Sequence, residues 1–168
     1  MLTPERALAL GQMGIESLGG EMQTTAKVIA AIPEGKKEWQ PDPKAKSGVE
    51  LAWHIASSEV QMLDEIADMK FTMEEKAKEK PTSIDGILAW YRQEFPRAAA
   101  RVGAMTGEQL ATPVDFYGAF NFPVVMYLGF VEKHSIHHRG QLSTYLRPMG
   151  SKVPAIYGGS ADEPFQAG

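Results

Sequence analysis

Cysteine is absent from this 168-residue chain. That excludes disulfides, thiolate metal ligands and a cysteine nucleophile, so any thiol chemistry must use a thiol brought by a substrate. An excess of positive charge is missing as well: 17 Lys and Arg stand against 21 Asp and Glu, a net charge of -4. That balance favours neither phosphate backbones nor anionic membranes. The longest apolar run, residues 122–131, is far shorter than the roughly 20 residues of a membrane span. The opening residues, Met1-Leu2-Thr3-Pro4-Glu5-Arg6, do not read as a secretory signal. The expectation is a cytoplasmic protein with no nucleic-acid or membrane partner. Gly-x-Ser-x-Gly elbows, phosphate loops, dinucleotide fingerprints and the His-Glu-x-x-His pattern are all missing. So are the paired Glu-x-x-His motifs of di-iron bundles.

Amphipathic helices are what the chain does have. Thr3-Pro4-Glu5 has the form of a helix start, and Ile15, Leu18, Met22, Thr25, Ile29 and Ile32 follow at spacings of three and four until Pro33. Ser47-Gly48-Val49-Glu50 is a capping-box pattern that opens helix two, with Leu51, Ile55, Met62 and Ile66 as its stripe, fading near Lys70. Ser83 caps helix three, whose stripe runs from Ile84 through Leu88, Tyr91, Phe95, Ala98 and Val102 to Met105, with Pro96 inside it as an expected kink. Residues 107–118 read as a loop. Helix four is expected from Asn121-Phe122-Pro123 to about Arg147, before Pro148 and Gly150. No alternating strand pattern stands out. One all-α domain over residues 1–168 follows, a four-helix bundle with an irregular tail from about residue 148. The connection over residues 71–81 can span a bundle length of about 30 Å, so helices two and three are expected to be parallel, joined by a crossover.

All four histidines fall on two of these helices: His54 on helix two, and His134, His137 and His138 on helix four. His134 and His138 are spaced i,i+4, which puts both imidazoles on one face a turn apart. They sit on the inward stripe Tyr127, Phe130, Val131, Leu142, Tyr145, where apolar residues belong, with Gln141 beside them. Uncompensated polar groups there cost a few kcal/mol, so partners are expected. His137 competes as a ligand but lies towards the other edge of the stripe. His54 shares a face with Glu50, Ser57, Ser58 and Gln61, a lining suited to a small wet cavity against helix four. Three neutral imidazoles suit Zn²⁺, Ni²⁺ or another borderline divalent ion and leave a coordination position open. Arg139 points away from this face and reads as surface or interface. Trp39, Trp53 and Trp90 read as packing or interface residues.

Leu51-Ala52-Trp53-His54-Ile55, the run His134-Ser135-Ile136-His137-His138-Arg139-Gly140-Gln141-Leu142, and the tail segments 146–150 and 153–158 together resemble the DinB-like family, named for damage-inducible bacterial proteins. The resemblance covers nearly the whole chain, and the His-His-Arg-Gly-Gln segment is its most specific part. It implies an up-down-down-up bundle, often a homodimer, with His54, His134 and His138 holding a divalent metal. It also implies relatives that use low-molecular-weight thiols.

The first expectation is therefore a metal-dependent S-transferase that joins such a thiol to an electrophile. Tyr127, Phe130 and Tyr145 would form apolar walls, Gln141 would support the ligands, and Arg139, Arg147 and Lys152 are candidates for a basic rim. The alternatives are metal-assisted hydrolysis with Glu50 as the nearest base, and a metal-binding stress-response protein without turnover.

Overall fold

The computed structural model describes residues 2–72 and 79–165. Its first helix, α1 (Pro4–Ala30), begins where Thr3 Oγ1 accepts a hydrogen bond from the Arg6 amide. Helix α2 (Gly48–Ala67) carries the full capping box: Ser47 accepts from the Glu50 amide, and Glu50 accepts from the Ser47 amide at 2.9 Å. Helix α3 (Ile84–Gly103) starts at Ser83 and continues through Pro96. Each expected stripe is the buried one: Leu18, Met22 and Ile29 on α1, Leu51, Ile55 and Ile66 on α2, and Tyr91, Phe95 and Val102 on α3.

The stretch from 107 to 127 differs from the expectation of a loop running into a long helix. It forms a short helix α4 (Gly107–Ala111), an antiparallel hairpin of β1 (Pro113–Phe116) and β2 (Phe120–Pro123), and a 3-10 turn, before α5 (Leu128–Leu146). Gly107 is required where α4 meets the start of α1, since a Cβ there would lie 2.3 Å from the Pro4 carbonyl oxygen. Tyr127 pins the hairpin to the first turn of α5. Its hydroxyl donates to the Val114 carbonyl at 2.7 Å and accepts from the Phe122 amide at 3.1 Å. Strands of four residues are too short for a period-two signal to stand out, which is why the hairpin is not visible in the sequence.

Helix α2 packs on α3 and α5, and α1 packs on α3, α4 and α5. Side-chain pairs between α2 and α3 ascend together: Glu59 with Tyr91, Asp64 with Arg97, Asp68 with Arg101. Those between α1 and α5 do the same, Ser17 with Glu132 and Thr25 with Arg139. Between α2 and α5 the order reverses: His54 meets His138, while Gln61 and Met62 share a cleft with Phe130 and His134. The connection expected to carry the crossover lies partly outside the described residues. The tail after α5 has no helix or strand up to residue 165. It is nonetheless held by specific contacts: Asp162 accepts from the Val153 amide and Arg147, and Glu163 from the Ala155 amide and Lys27. Among the described residues no helix is long and apolar enough to cross a membrane.

Candidate metal centre

The antiparallel contact of α2 and α5 brings His54, His134 and His138 together. One ring nitrogen of each lies within 4.8 Å of the others. The ring centroids are 4.5 Å apart for His54 and His138, 4.6 Å for His134 and His138, and 5.1 Å for His54 and His134. All three side chains are half-buried, so the cluster sits at the edge of the core rather than inside it. His137 is exposed, touching His138 only ring to ring.

The donor set fits a divalent ion on three counts. His54 Nε2 and His138 Nε2 are 3.2 Å apart. Two nitrogens on a tetrahedral ion with bonds of about 2.0–2.1 Å lie roughly 3.3 Å apart. The outer nitrogen of His138 is held as a ligating imidazole requires. Gln141 donates its amide N–H to Tyr145 Oη at 3.0 Å, which turns Gln141 Oε1 towards His138 Nδ1 at 3.1 Å. His138 therefore carries its proton on Nδ1 and presents a lone pair at Nε2. Ser58 Oγ, 3.3 Å from His54 Nδ1, is placed to accept from that nitrogen when Nε2 faces a cation. Thirdly, His134 Nδ1 is buried without a hydrogen-bond partner in the protein.

The electrostatics agree. Burial, with the positive field of neighbouring imidazoles, holds both His54 and His134 down to about 4, and burial lowers His138 as well. The imidazoles are thus neutral at pH 7 and available to a metal. Lys46, exposed on the loop before α2, adds a positive field at His54 and His138. Among the described residues it is the lysine whose field reaches these two rings. Of the basic rim expected from Arg139, Arg147 and Lys152, Arg139 is instead buried on Glu21, and Arg147 is paired with Asp162.

A cleft of about 240 Å³ opens beside His134. Its lining combines apolar side chains (Met62, Phe116, Phe130) with polar ones (Ser58, Gln61, Glu65, Tyr117). Tyr117 sits in the left-handed region at φ 53°, where a bulky residue is strained by about 1–2 kcal/mol. Its hydroxyl donates to Glu65 at 3.0 Å, and burial together with Glu65 pushes the phenol up to about 12. Strain of this kind clusters at functional sites. The walls expected from Tyr127, Phe130 and Tyr145 are divided: Phe130 lines the cleft, Tyr145 backs Gln141, and the buried Tyr127 holds the hairpin. Glu50 is exposed and committed to the α2 cap, which holds its carboxyl below the usual range.

Sequence reasoning does not find the buried charged residues Arg139, Glu59 and Glu65. Arg139 is 1% exposed, contrary to the surface role expected for it. It pairs with Glu21 at 2.6 Å and donates to Thr25 Oγ1 at 3.3 Å and to Tyr157 Oη. Glu59 is buried against Tyr91, and burial pushes its carboxyl up to about 7. Arg139 and Glu59 lie on three-four spaced stripes: Leu128, Val131, Ser135, Arg139, Leu142, Leu146 on α5, and Ala52, Ile55, Glu59, Leu63, Ile66 on α2.

Comparison with known proteins agrees with this picture. The sequence model of the DinB family matches residues 13–166. The chain is 30% identical over 144 residues to the uncharacterized protein YrdA of Bacillus subtilis, covering 85% of each. It is 26% identical over 136 residues to the uncharacterized protein YjoA of the same organism, covering 79% of this chain and 86% of the other. A crystal structure of a DinB-like protein from Bacillus cereus superposes with a TM-score of 0.70 at 26% identity, over 86% of this chain and 95% of that one. The YjoA crystal structure superposes with a TM-score of 0.72 at 22% identity, over 86% of this chain and 97% of that one, which bears on the fold alone.

Proposed function

The chain belongs to the DinB family, and from that membership and the three-histidine cluster we propose a divalent-metal-dependent S-transferase that joins a low-molecular-weight thiol to an electrophile. The observation that carries the reading is the convergence of His54 and His138 Nε2 at 3.2 Å, with His134 alongside and Gln141 and Ser58 behind. His54, His134 and His138 hold the ion, Zn²⁺ or Ni²⁺ by the borderline character of an all-imidazole set. When bound, such an ion supplies a Lewis-acidic position at which a thiol loses its proton near neutral pH. Gln141 and Ser58 orient the ligating rings, Lys46 favours an anionic thiol at the mouth, and the absence of cysteine leaves no internal competitor. Phe116 and Phe130 give the cleft apolar surface, and Ser58, Gln61 and Tyr117 give it polar atoms. The hydrolytic alternative is weakened because Glu50, its nominated base, is tied into the helix cap. The ascending and reversing contacts between helices support an up-down-down-up bundle, and we take the protein to be a homodimer, as the family resemblance implies.

Substitution with Co²⁺ tests this reading. Bacillithiol, mycothiol, glutathione and coenzyme A are added in turn, and the true thiol gives a sulfur-to-metal charge-transfer band. The same thiol then conjugates to an electrophile in the wild type and not in His138→Ala. Metal-dependent cleavage of activated esters without any thiol band would replace the transferase by a hydrolase. Metal binding with neither response would leave a non-catalytic metal protein.

A further inference from the structure

The hairpin leaves an unusual number of aromatic rings partly bare. Phe120 and Phe122 are each 50% exposed, Met126 is 55% and Phe130 is 43%. These residues, with Phe116 and Tyr127, line a half-open pocket of about 260 Å³. Phe120 stands opposite Phe116 in the ladder, and Phe122 follows on the same face of β2, so the strand register aims all three rings to one side. Phe120 and Phe122 stack at 5.8 Å with an interplanar angle of 14°, and Phe116 stacks on Tyr127 at 5.2 Å and 19°. The lining is thus a set of flat faces held by the hairpin, whose strands the Tyr127 hydroxyl fastens to α5.

Three observations indicate what fills it. Size is the first: a cavity of about 150 Å³ takes benzene, so this one has room for a substituted ring or a fused bicycle. Charge is the second. Among the described residues Lys133 is the pocket's one charged lining residue, and it has no ion-pair or hydrogen-bond partner there. On a chain of net charge -4, an uncommitted cation at the lip of an apolar pocket favours an anion. The third is position. Phe116 and Phe130 are walls of this pocket and also of the cleft beside His134, and Lys133 directly precedes His134.

We infer that this pocket binds a flat aromatic group bearing an anionic substituent, the part of the electrophilic substrate that does not react. Its role in a reaction rests on the proposed function above, but the binding itself does not. The ring lies against Phe116, Phe120, Phe122 and Phe130, the anion meets Lys133, and the adjoining cleft leads the remaining atoms towards His134.

The test uses the full chain freed of metal, so that it is independent of the histidine site. Calorimetric titration with naphthalene-2-sulfonate is compared with its cationic counterpart, 2-naphthylmethylammonium. The expected result is one sulfonate site per chain and at least about tenfold weaker binding of the cation, roughly the worth of one favourable charge contact. Lys133→Met should abolish that preference while retaining some affinity for both. Phe120→Ala combined with Phe122→Ala should weaken both ligands, with helicity unchanged because both side chains are half exposed. Equal binding of the two ligands, no binding of the sulfonate, or an unaltered preference in Lys133→Met would overturn the inference. So would sedimentation showing a dimer that Phe120→Glu dissociates, since a second copy would then be the occupant. Failure of the thiol test with success here would refute the transferase and keep the pocket.

Discussion

His54 on α2 and His138 on α5, 84 positions apart in the chain, meet Nε2 to Nε2 at 3.2 Å. Ser58 and Gln141 lie at hydrogen-bond distance from the opposite edges of the two rings, 3.3 Å and 3.1 Å. The expected consequence is one divalent ion per chain when the protein is purified without chelator, measured by elemental analysis. His54→Ala, His134→Ala and His138→Ala should each weaken metal binding by more than about 100-fold, since loss of a supporting contact alone costs about 10–100-fold. His137→Ala should change it little, because that side chain is exposed. An equal loss in His137→Ala would reassign the ligand set.

Gln141 should matter through His138 alone. Gln141→Leu removes the acceptor at His138 Nδ1 and frees the ring to choose its tautomer. Metal affinity should fall by about 10–100-fold, while the melting temperature of the metal-free protein changes little, because Gln141 is only half-buried. Gln141→Glu keeps an acceptor at the same place and should restore most of the affinity. Competition with a chromogenic chelator measures both variants. A Gln141→Leu protein with native affinity would remove Gln141 from the site.

Glu59 sets a pH dependence of its own. Its folded value of about 7 lies above the ordinary 4.5, owing to burial first, against hydrogen bonds from Ser135 and Tyr91 and the field of Arg139, with Glu21 adding to the rise. Between those two values the unfolded chain has lost the proton and the folded chain still holds it. Stability from this group therefore falls as pH rises from about 4.5 to about 7, by at most roughly 3 kcal/mol at about 1.4 kcal/mol per unit. In the metal-free protein the histidines act in the opposite sense: their values are lowered, so their stability is lost as pH falls below 6.5. The difference between Glu59→Gln and wild type isolates the carboxyl. Denaturant melts should show Glu59→Gln gaining on wild type from pH 5 to 7.5, and a flat difference would show that Glu59 ionises normally.

The legible parts of the molecule were those with local signals. Thr3, Ser47 and Ser83 cap helices where they stand, and apolar residues at three-four spacing are the residues that are buried. His134 and His138 were conspicuous because they interrupt such a stripe. Arg139 was missed for the same reason. The eye follows the stripe through the histidines, whereas the face packed on α1 runs through Ser135 and Arg139, whose partners Thr25 and Glu21 are more than 100 positions earlier. Glu59 likewise answers to Tyr91 on another helix. The hairpin could not be read because its strands are four residues long and mostly exposed, and its order comes from Tyr127.

Arg139 and Glu21 offer the sharpest test of the core. The guanidinium is 1% exposed and the Glu21 side chain 15%, so their attraction is weakly screened, and each is costly to leave alone. Arg139→Met should lower unfolding free energy by roughly 3–5 kcal/mol, because Glu21 then keeps a charge with no cation beside it. The double variant Arg139→Met, Glu21→Met should recover most of that loss, since well-packed apolar side chains often replace a buried pair without penalty. Tyr157→Phe, which removes one hydroxyl shared by both partners, should cost only about 1 kcal/mol. Metal affinity in the double variant should stay within about tenfold of wild type, because Arg139 follows His138 but projects to a different face of α5. Denaturant melts and chelator competition on the same samples separate the two effects. If the double variant were no more stable than Arg139→Met, the buried charge on Glu21 would not be the source of the loss. If metal affinity collapsed while the fold persisted, Arg139 would belong to the metal centre rather than to the core.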